Sequence, residues 1–134
     1  MASRSLDDLQ PLLRQKAQYH VSICAAEGID LLIYCTLRTA GEQAELYSRG
    51  RTKPGKIVTY AKPGSSAHNY GLAYDCVPLR AGKPVWTAKG ADLELWQRVG
   101  RIGKTLGLEW AGDWEGKKRE FPHFQVAAWR TLVM

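Results

Sequence analysis

Long hydrophobic runs are absent from this chain, and cysteine is scarce. The longest apolar stretch, residues 31–35, is far too short to cross a bilayer, which takes about 20 residues. The three cysteines lie far apart without a C-x-x-C pair, which argues against a disulfide framework or a thiolate zinc site. No apolar segment follows Arg4 near the N-terminus, so we predict no secretory signal and expect synthesis in a cytoplasm.

The composition that is present is ordinary for one globular domain. The 134 residues are 45% hydrophobic and 24% charged, and we expect a single domain over residues 1–134. The net charge of +6 is partly clustered, in residues 49–56 and 117–119, and favours anionic partners such as nucleic acid, an anionic membrane or a bacterial wall. No recognition helix or RNA-binding signature accompanies this charge, so we expect no nucleic-acid partner. We also expect a monomer.

Periodicity and turn residues predict the order of the elements. The expected order is helix 5–27, strand 30–37, helix 39–50, a long loop with an extended piece at 57–60, strand 71–79 and helix 91–106. Pro11 either kinks the first helix or marks its true first turn. His20 falls on the polar side of that helix, where we expect it to be solvated.

A ten-residue motif, Ser-Ala-His-Asn-Tyr-Gly-Leu-Ala-Tyr-Asp at residues 66–75, carries a histidine and an acid. In a continuous strand His68 and Asp75 would face opposite sides, because side chains alternate. A turn at Gly71 breaks that alternation and allows the two side chains to meet. Imidazole and carboxylate are both good zinc ligands, so the motif is half of a candidate metal site.

A second motif, residues 119–124, supplies His123 with Glu120 three positions earlier. A catalytic zinc needs three protein ligands and an open position for water, which His68, Asp75 and His123 together can provide. Hydrolysis also needs a general base and a cation for the oxyanion, and Glu120 and Arg38 are the best candidates. Each residue alone has an ordinary explanation, such as a hydrogen bond or a surface ion pair. The pattern by itself leaves a metallohydrolase as one hypothesis.

Together the motifs resemble those of the zinc peptidases of bacterial cell walls, the D-alanyl-D-alanine carboxypeptidases and the phage L-alanyl-D-glutamate endopeptidases. The pattern Ser-x-His-x-x-Gly-x-Ala-x-Asp and the later Glu-x-x-His match at Ser66, His68, Gly71, Ala73, Asp75, Glu120 and His123. The resemblance covers about residues 32–125. It implies the small α+β fold that these peptidases share with the Hedgehog signalling domain, an antiparallel sheet with helices packed on one side.

Roles for individual residues follow from the same resemblance. It implies His68, Asp75 and His123 as ligands of one Zn²⁺, Glu120 as general base and acid, Arg38 as a group that binds substrate or stabilises the tetrahedral intermediate, and Ser66 and Gln43 as substrate contacts. The family's last carboxylate is often aspartate, and this chain has glutamate at that position.

The implied substrate is bacterial peptidoglycan, and we favour cleavage of the L-alanyl-D-glutamate bond of its stem peptide. Without a visible signal peptide or wall-binding domain, the chain is expected to be a phage endolysin that reaches the periplasm and wall through a holin. Its basic surface would help it adhere to an anionic wall or membrane. The alternatives are a D-alanyl-D-alanine carboxypeptidase and a non-catalytic, zinc-containing binding module. A glycan-cleaving lysozyme is disfavoured because it leaves both motif histidines without a role.

Overall fold

The computed structural model describes residues 2–133, which form an α+β fold with an antiparallel sheet. The elements are α1 Pro11–Ala26, β1 Asp30–Cys35, α2 Ala40–Ser48, β2 Ala73–Arg80, β3 Lys83–Pro84, α3 Ala91–Thr105, β4 Leu108–Trp110, β5 His123–Val126 and α4 Trp129–Leu132. Short 3-10 turns lie at Leu6–Asp8, Ala67–Tyr70, Ala111–Asp113 and Gly116–Lys118. Within the described residues, no helix combines the length and apolarity needed to span a membrane.

Strand β2 lies at the centre of the sheet. The strand order is β1-β2-β5-β4, and the two residues of β3 pair with the end of β2. In this register Asp75 lies opposite Cys35 on one side and opposite His123 on the other. The pairing of β2 with β5 therefore brings His123 beside Asp75, although 48 positions separate them in the sequence.

Helices α1 and α3 pack on one face of the sheet and form the main core. Residues of both helices contact the alternate side chains of β2 and β5 in this cluster, which includes Leu13, Ala17, Val99, Tyr74 and Phe124. Each of these side chains is fully buried, and burying one large apolar side chain contributes about 1.5–3 kcal/mol. The opposite set of side chains on β2, which includes Asp75, faces away from this core.

Gly71 ends the 3-10 turn that precedes β2. Its φ of +69° lies in the left-handed region, and a Cβ there would stand 2.9 Å from the Asp8 carbonyl oxygen. The Gln10 amide donates to the Gly71 carbonyl at 2.9 Å, so the N-terminal segment packs directly on this turn. The predicted break in alternation at Gly71 is confirmed.

Most predicted elements are present, and three expectations are resolved or overturned. Pro11 marks the first turn of α1, because Ser5 caps a separate turn before it. The predicted extended piece at 57–60 is not a strand; the chain there instead bonds to α2, where Gln43 donates to the Ala61 carbonyl. The solvated position expected for His20 was wrong, because its spacing from Ala17 places it on the buried stripe of α1.

Candidate active site

The two motifs meet at one point on the open face of the sheet. Nε2 of His68 lies 3.0 Å from Asp75 Oδ1, and Nδ1 of His123 lies 3.1 Å from the same oxygen. The two imidazole rings are 5.0 Å apart and both are buried. The Gly71 turn, β2 and β5 each supply one of the three side chains, so the sequence prediction that they lie together agrees with the geometry.

A backbone carbonyl fixes the orientation of the His68 ring. Its Nδ1 lies 2.8 Å from the Thr36 carbonyl oxygen, which can only accept, so Nδ1 carries the proton. In the neutral ring the lone pair of Nε2 then faces Asp75, so this nitrogen takes either a second proton or a metal ion. Residue 36 was missed by sequence reasoning, because nothing in a strand-end threonine identifies its carbonyl as a partner for a ring 32 positions away.

A side-chain relay fixes the second ring in the same manner. Nε2 of His123 lies 2.8 Å from Gln125 Oε1, and the Gln125 amide nitrogen donates to Glu109 at 3.0 Å. The amide oxygen therefore faces the ring, Nε2 is the protonated nitrogen, and the Nδ1 lone pair faces Asp75. Gln125 was also missed, although its position two residues after His123 in a strand puts both side chains on one face.

Two ring nitrogens and a carboxylate thus converge at a point that takes a cation, either a proton or a metal ion. Although burial favours the neutral acid, His68 and His123 hold the pKa of Asp75 well below its ordinary value. Although burial favours the neutral imidazole, Asp75 raises the pKa of His68. Both directions show that the site attracts positive charge. Its two nitrogens and one oxygen, each oriented by an outer partner, fit the donor set of a divalent zinc site.

Cys35 offers an alternative third ligand. The ligand atoms of Cys35, His68 and Asp75 lie within 4.8 Å of one another. However, the Cys35 sulfur lies 3.8 Å from Nδ1 of His68, the nitrogen that donates to Thr36, and so on the wrong side of the ring. The Arg38 guanidinium also contacts this sulfur, at 3.5 Å. Among the described residues only the Cys35 set is this close, but the directions of the ring nitrogens favour His123 as the third ligand. All three cysteines are free and buried, in keeping with the sequence interpretation.

Glu120 lies at the edge of this cluster. Its Oε2 is 4.0 Å from His123 Nδ1, and the side chain is half-exposed. Burial raises the pKa of Glu120, and Asp75 adds to the rise against the opposing effect of His123. The backbone amide of Glu120 donates to the Ala111 carbonyl at 3.1 Å, which fixes the turn before β5. A carboxylate with a raised pKa beside the candidate metal ligands is suited to accepting a proton.

Arg38 lies on the other side of Asp75 and is held by Gln43. One guanidinium nitrogen is 3.9 Å from Asp75 Oδ2, and another donates to Gln43 Oε1 at 2.9 Å. Gln43 is fully buried and donates to the Ala61 carbonyl at 2.7 Å. The structure thus places Gln43 behind Arg38, outside the cleft lining, where it orients the guanidinium.

An open cleft of about 830 Å³ contains the cluster. Of the residues singled out from the sequence, those that line it are Arg38, Ser66, His68, Asp75, Glu120 and His123. Its walls carry aromatic residues, among them Tyr34 and Trp114, and the cations Lys118, Arg119 and Arg130. The cleft therefore offers a metal-binding floor with both uncharged aromatic and basic walls.

Comparison with known sequences identifies a matching protein family. Residues 59–126 match the M15 peptidase family model described as D-alanyl-D-alanine carboxypeptidase. The chain is 41% identical over 129 residues to the peptidoglycan L-alanyl-D-glutamate endopeptidase CwlK of Bacillus subtilis (strain 168), covering 89% of this chain and 74% of that protein. It is 30% identical over 126 residues to the L-alanyl-D-glutamate peptidase of Listeria phage A118, covering 92% of this chain but 41% of the phage protein.

Solved structures share the fold at lower identity. The L-Ala D-Glu endopeptidase ChiX of Serratia marcescens aligns with a TM-score of 0.71 at 20% identity, over 100% of this chain and 93% of the other. The vancomycin resistance D,D-pentapeptidase VanY, solved in complex with Zn(II), aligns with a TM-score of 0.66 at 15% identity, over 93% of this chain and 76% of the other. At these identities the likeness establishes the antiparallel α+β fold predicted from the sequence.

Proposed function

This chain belongs to the M15 family of peptidases, and from that premise we propose that it is a zinc-dependent peptidase that hydrolyses the L-alanyl-D-glutamate bond of peptidoglycan stem peptides. The observation that carries the proposal is the convergence of two imidazole nitrogens on the Asp75 carboxylate inside a cleft. The 41% identity to an endopeptidase of this specificity supports the choice of bond.

In this proposal His68, Asp75 and His123 hold one zinc ion. When bound, zinc supplies a Lewis acid that polarises the scissile carbonyl and acidifies a water molecule. The outer partners Thr36 and Gln125 keep each ring nitrogen in the correct protonation state, which lowers the cost of assembling the site.

Glu120 performs the proton transfers. Its raised pKa and its position beside His123 suit a base that takes a proton from the attacking water and returns it to the leaving amine nitrogen. Arg38, fixed by Gln43, presents a guanidinium toward the cleft floor, where it steadies the negative charge that develops on the carbonyl oxygen. Ser66, at the edge of the metal-binding turn, contacts the substrate.

Digestion of purified peptidoglycan tests this function. Mass analysis should show new amino termini at D-glutamate and new carboxyl termini at L-alanine. The description of the matched family favours a second candidate, a D-alanyl-D-alanine carboxypeptidase, which would release free D-alanine from the end of the stem and leave the L-alanyl-D-glutamate bond uncut. That product pattern would replace the endopeptidase assignment with the carboxypeptidase.

The proton-transfer role is tested by Glu120→Ala. Because Glu120 is not a proposed ligand, the variant should retain zinc and lose at least about 1000-fold in hydrolysis rate. Glu115→Ala is the matched control, since Glu115 is an exposed acid of the same loop that does not line the cleft. Full activity in Glu120→Ala would remove this residue from the mechanism. Absence of hydrolysis in the zinc-loaded wild type would favour a non-catalytic binding module.

We propose further that the enzyme acts as a phage endolysin that is released through a holin, and the phage relative supports this role. The Bacillus relative equally supports a cell-wall enzyme of bacterial origin. Expression in a host with and without a holin distinguishes them. An endolysin should lyse cells only when the holin is present, and lysis that does not depend on the holin would contradict this route.

A further inference from the structure

One wall of the cleft is built by a β-bulge. Ile33 pairs with Cys76 and Cys35 pairs with Asp75, so Tyr34 is an extra residue in β1 with no partner in β2. Bulges redirect side chains, and this one turns Tyr34 into the cleft lining. Burial raises the pKa of the Tyr34 phenol, and the nearby Asp75 raises it further. The phenol therefore stays a hydrogen-bond donor, and among residues 2–133 no hydrogen bond to it is found.

Trp86 lies beyond the cleft lining and packs against the Tyr34 wall. Its ring packs edge-on against Tyr34, with centroids 5.5 Å apart, yet the residue is 59% exposed. The segment is anchored, because the neighbouring Val85 is buried and its amide donates to the Pro78 carbonyl at 2.9 Å. An anchored, exposed indole that packs against a cleft-lining tyrosine has the amphipathic surface of a ligand contact. We call this pair the Tyr34–Trp86 rim.

The charge of the rim differs from that of the rest of the cleft. Lys118, Arg119 and Arg130 also line the cleft and suit the carboxylates of an acidic stem peptide. The Tyr34–Trp86 rim carries no charge. It offers the negative faces of aromatic rings together with one phenol donor. This chemistry suits a neutral ligand that has C–H groups on its face and hydroxyl or acetamido groups at its edge.

We propose that the Tyr34–Trp86 rim binds an N-acetylated hexosamine ring of the glycan strand that carries the stem peptide. The inference rests on the proposed function, because the L-alanine of the scissile bond is the residue joined to the sugar. One residue spans at most about 3.6 Å and the lactyl group that links it to the sugar adds roughly as much again, so the sugar must lie within reach of the cleft that holds the metal-binding residues. Tyr34 satisfies this requirement, since it shares the cleft wall with Asp75. A carboxypeptidase, which cuts at the far end of the stem, would not need such a rim.

The test compares two substrates that differ only in the sugar. One is the free stem peptide, and the other is the same peptide joined to its N-acetylated disaccharide. Wild-type protein should cleave the glycosylated peptide with a KM about tenfold lower than that of the free peptide. Trp86→Ala should reduce this ratio to about one, and Tyr34→Phe, which keeps the ring, should reduce it about threefold. Tyr19→Ala removes a half-exposed aromatic residue of α1, outside the cleft lining, and should leave the ratio unchanged.

Several outcomes overturn the proposal. Equal KM values of the wild-type enzyme for the two substrates would overturn it. Equal losses of activity on both substrates in Trp86→Ala would also overturn it, because they would indicate that Trp86 binds the peptide or supports the fold. Thermal unfolding and zinc content of each variant verify its fold. A separate experiment measures binding of the peptide-free disaccharide to the Glu120→Ala protein by NMR. Because it needs no catalysis, it distinguishes failure of the rim proposal from failure of the proposed cleavage. Perturbed signals from Trp86 support the rim, and their absence at millimolar disaccharide refutes it.

Discussion

Two histidine networks lie on opposite faces of β2 and differ in whether the histidines face an acid. Tyr74 and Asp75 are adjacent and point to opposite sides. On the helix-covered face, His20 accepts from the Tyr74 hydroxyl at 2.6 Å and donates to the Val99 carbonyl at 2.9 Å. On the open face, His68 and His123 each satisfy one ring nitrogen with protein and direct the other at the Asp75 carboxylate.

Burial does not distinguish the two networks. His20, His68 and His123 are 0%, 2% and 6% exposed, respectively. Charge does distinguish them: burial lowers the pKa of His20 to about 4, whereas Asp75 overcomes burial and raises that of His68. A buried histidine with both nitrogens satisfied belongs to the core, and a buried histidine whose lone pair faces an acid indicates a place for a cation.

The largest expected effect follows from altering β2 itself. Asp75→Asn removes the carboxylate on which both rings converge, so zinc binding and hydrolysis should each fall by at least about 1000-fold. Tyr74→Phe, one residue away on the other face, should retain activity while costing about 1–3 kcal/mol of stability, because His20 loses its hydrogen-bond donor. The two variants are compared for zinc affinity by metal titration, for activity by peptidoglycan digestion and for stability by denaturation. If both substitutions impair the same property, the two networks are not independent.

The next effect concerns pH and the helix-covered face. The folded-state pKa of His20, about 4, lies below the ordinary 6.5, so its contribution to stability is complete above pH 6.5 and is lost as pH falls toward 4. The shift corresponds to roughly 3 kcal/mol. Urea unfolding of metal-free wild type and His20→Leu should therefore show a difference in stability that shrinks by about this amount between pH 7.5 and pH 4. A difference independent of pH would mean that His20 does not titrate on unfolding.

A smaller effect is expected from the outer partner on the open face. Gln125→Leu leaves the three ligands in place but frees the His123 ring to adopt the other tautomer. Zinc affinity should fall about 10–100-fold, as measured by competition with a chelator of known affinity. Gln97→Leu, at an exposed position of α3, is the control and should have no effect. Unchanged affinity in Gln125→Leu would show that the ring is oriented by other contacts.

The smallest effect is expected at the surface of the helical layer. Arg98 and Glu27 form an ion pair of 3.3 Å between α3 and the end of α1, and both side chains are more than 40% exposed. Arg98→Ala should cost at most about 1 kcal/mol of unfolding free energy, with no change in hydrolysis. A larger loss in chemical denaturation would indicate that surface pairs, and not the His20 network, hold the helices on the sheet.

Much of the candidate site could be predicted from the sequence because its residues fall within two short motifs. The motif spacing identified His68 and Asp75, and a glycine that ends a turn explained how they could face each other. The family and the α+β fold predicted from this resemblance are confirmed. The roles assigned to the individual site residues stay predictions until the variants described above are measured.

The rest depends on contacts that local sequence does not encode. A polar residue spaced like its apolar neighbours, as His20 is, can be judged only when its partners Tyr74 and Val99 are known. The bulge that turns Tyr34 into the cleft arises from the pairing of β1 with β2 and leaves no mark in the sequence of β1. Gln43 lies in a matched motif, yet only the path of the loop to Ala61 shows that it faces away from the cleft.

The packing of the N-terminal segment on Gly71 has a consequence for protein engineering. Ser3 exchanges backbone hydrogen bonds with Thr36 and Leu37, and Gln10 bonds to Gly71, so this segment touches both chain regions that present His68. Shortening the protein from this side would therefore disturb the chain regions that present the candidate metal ligand His68. Fusion partners and purification tags placed before Ser3 need a spacer long enough to leave these contacts undisturbed.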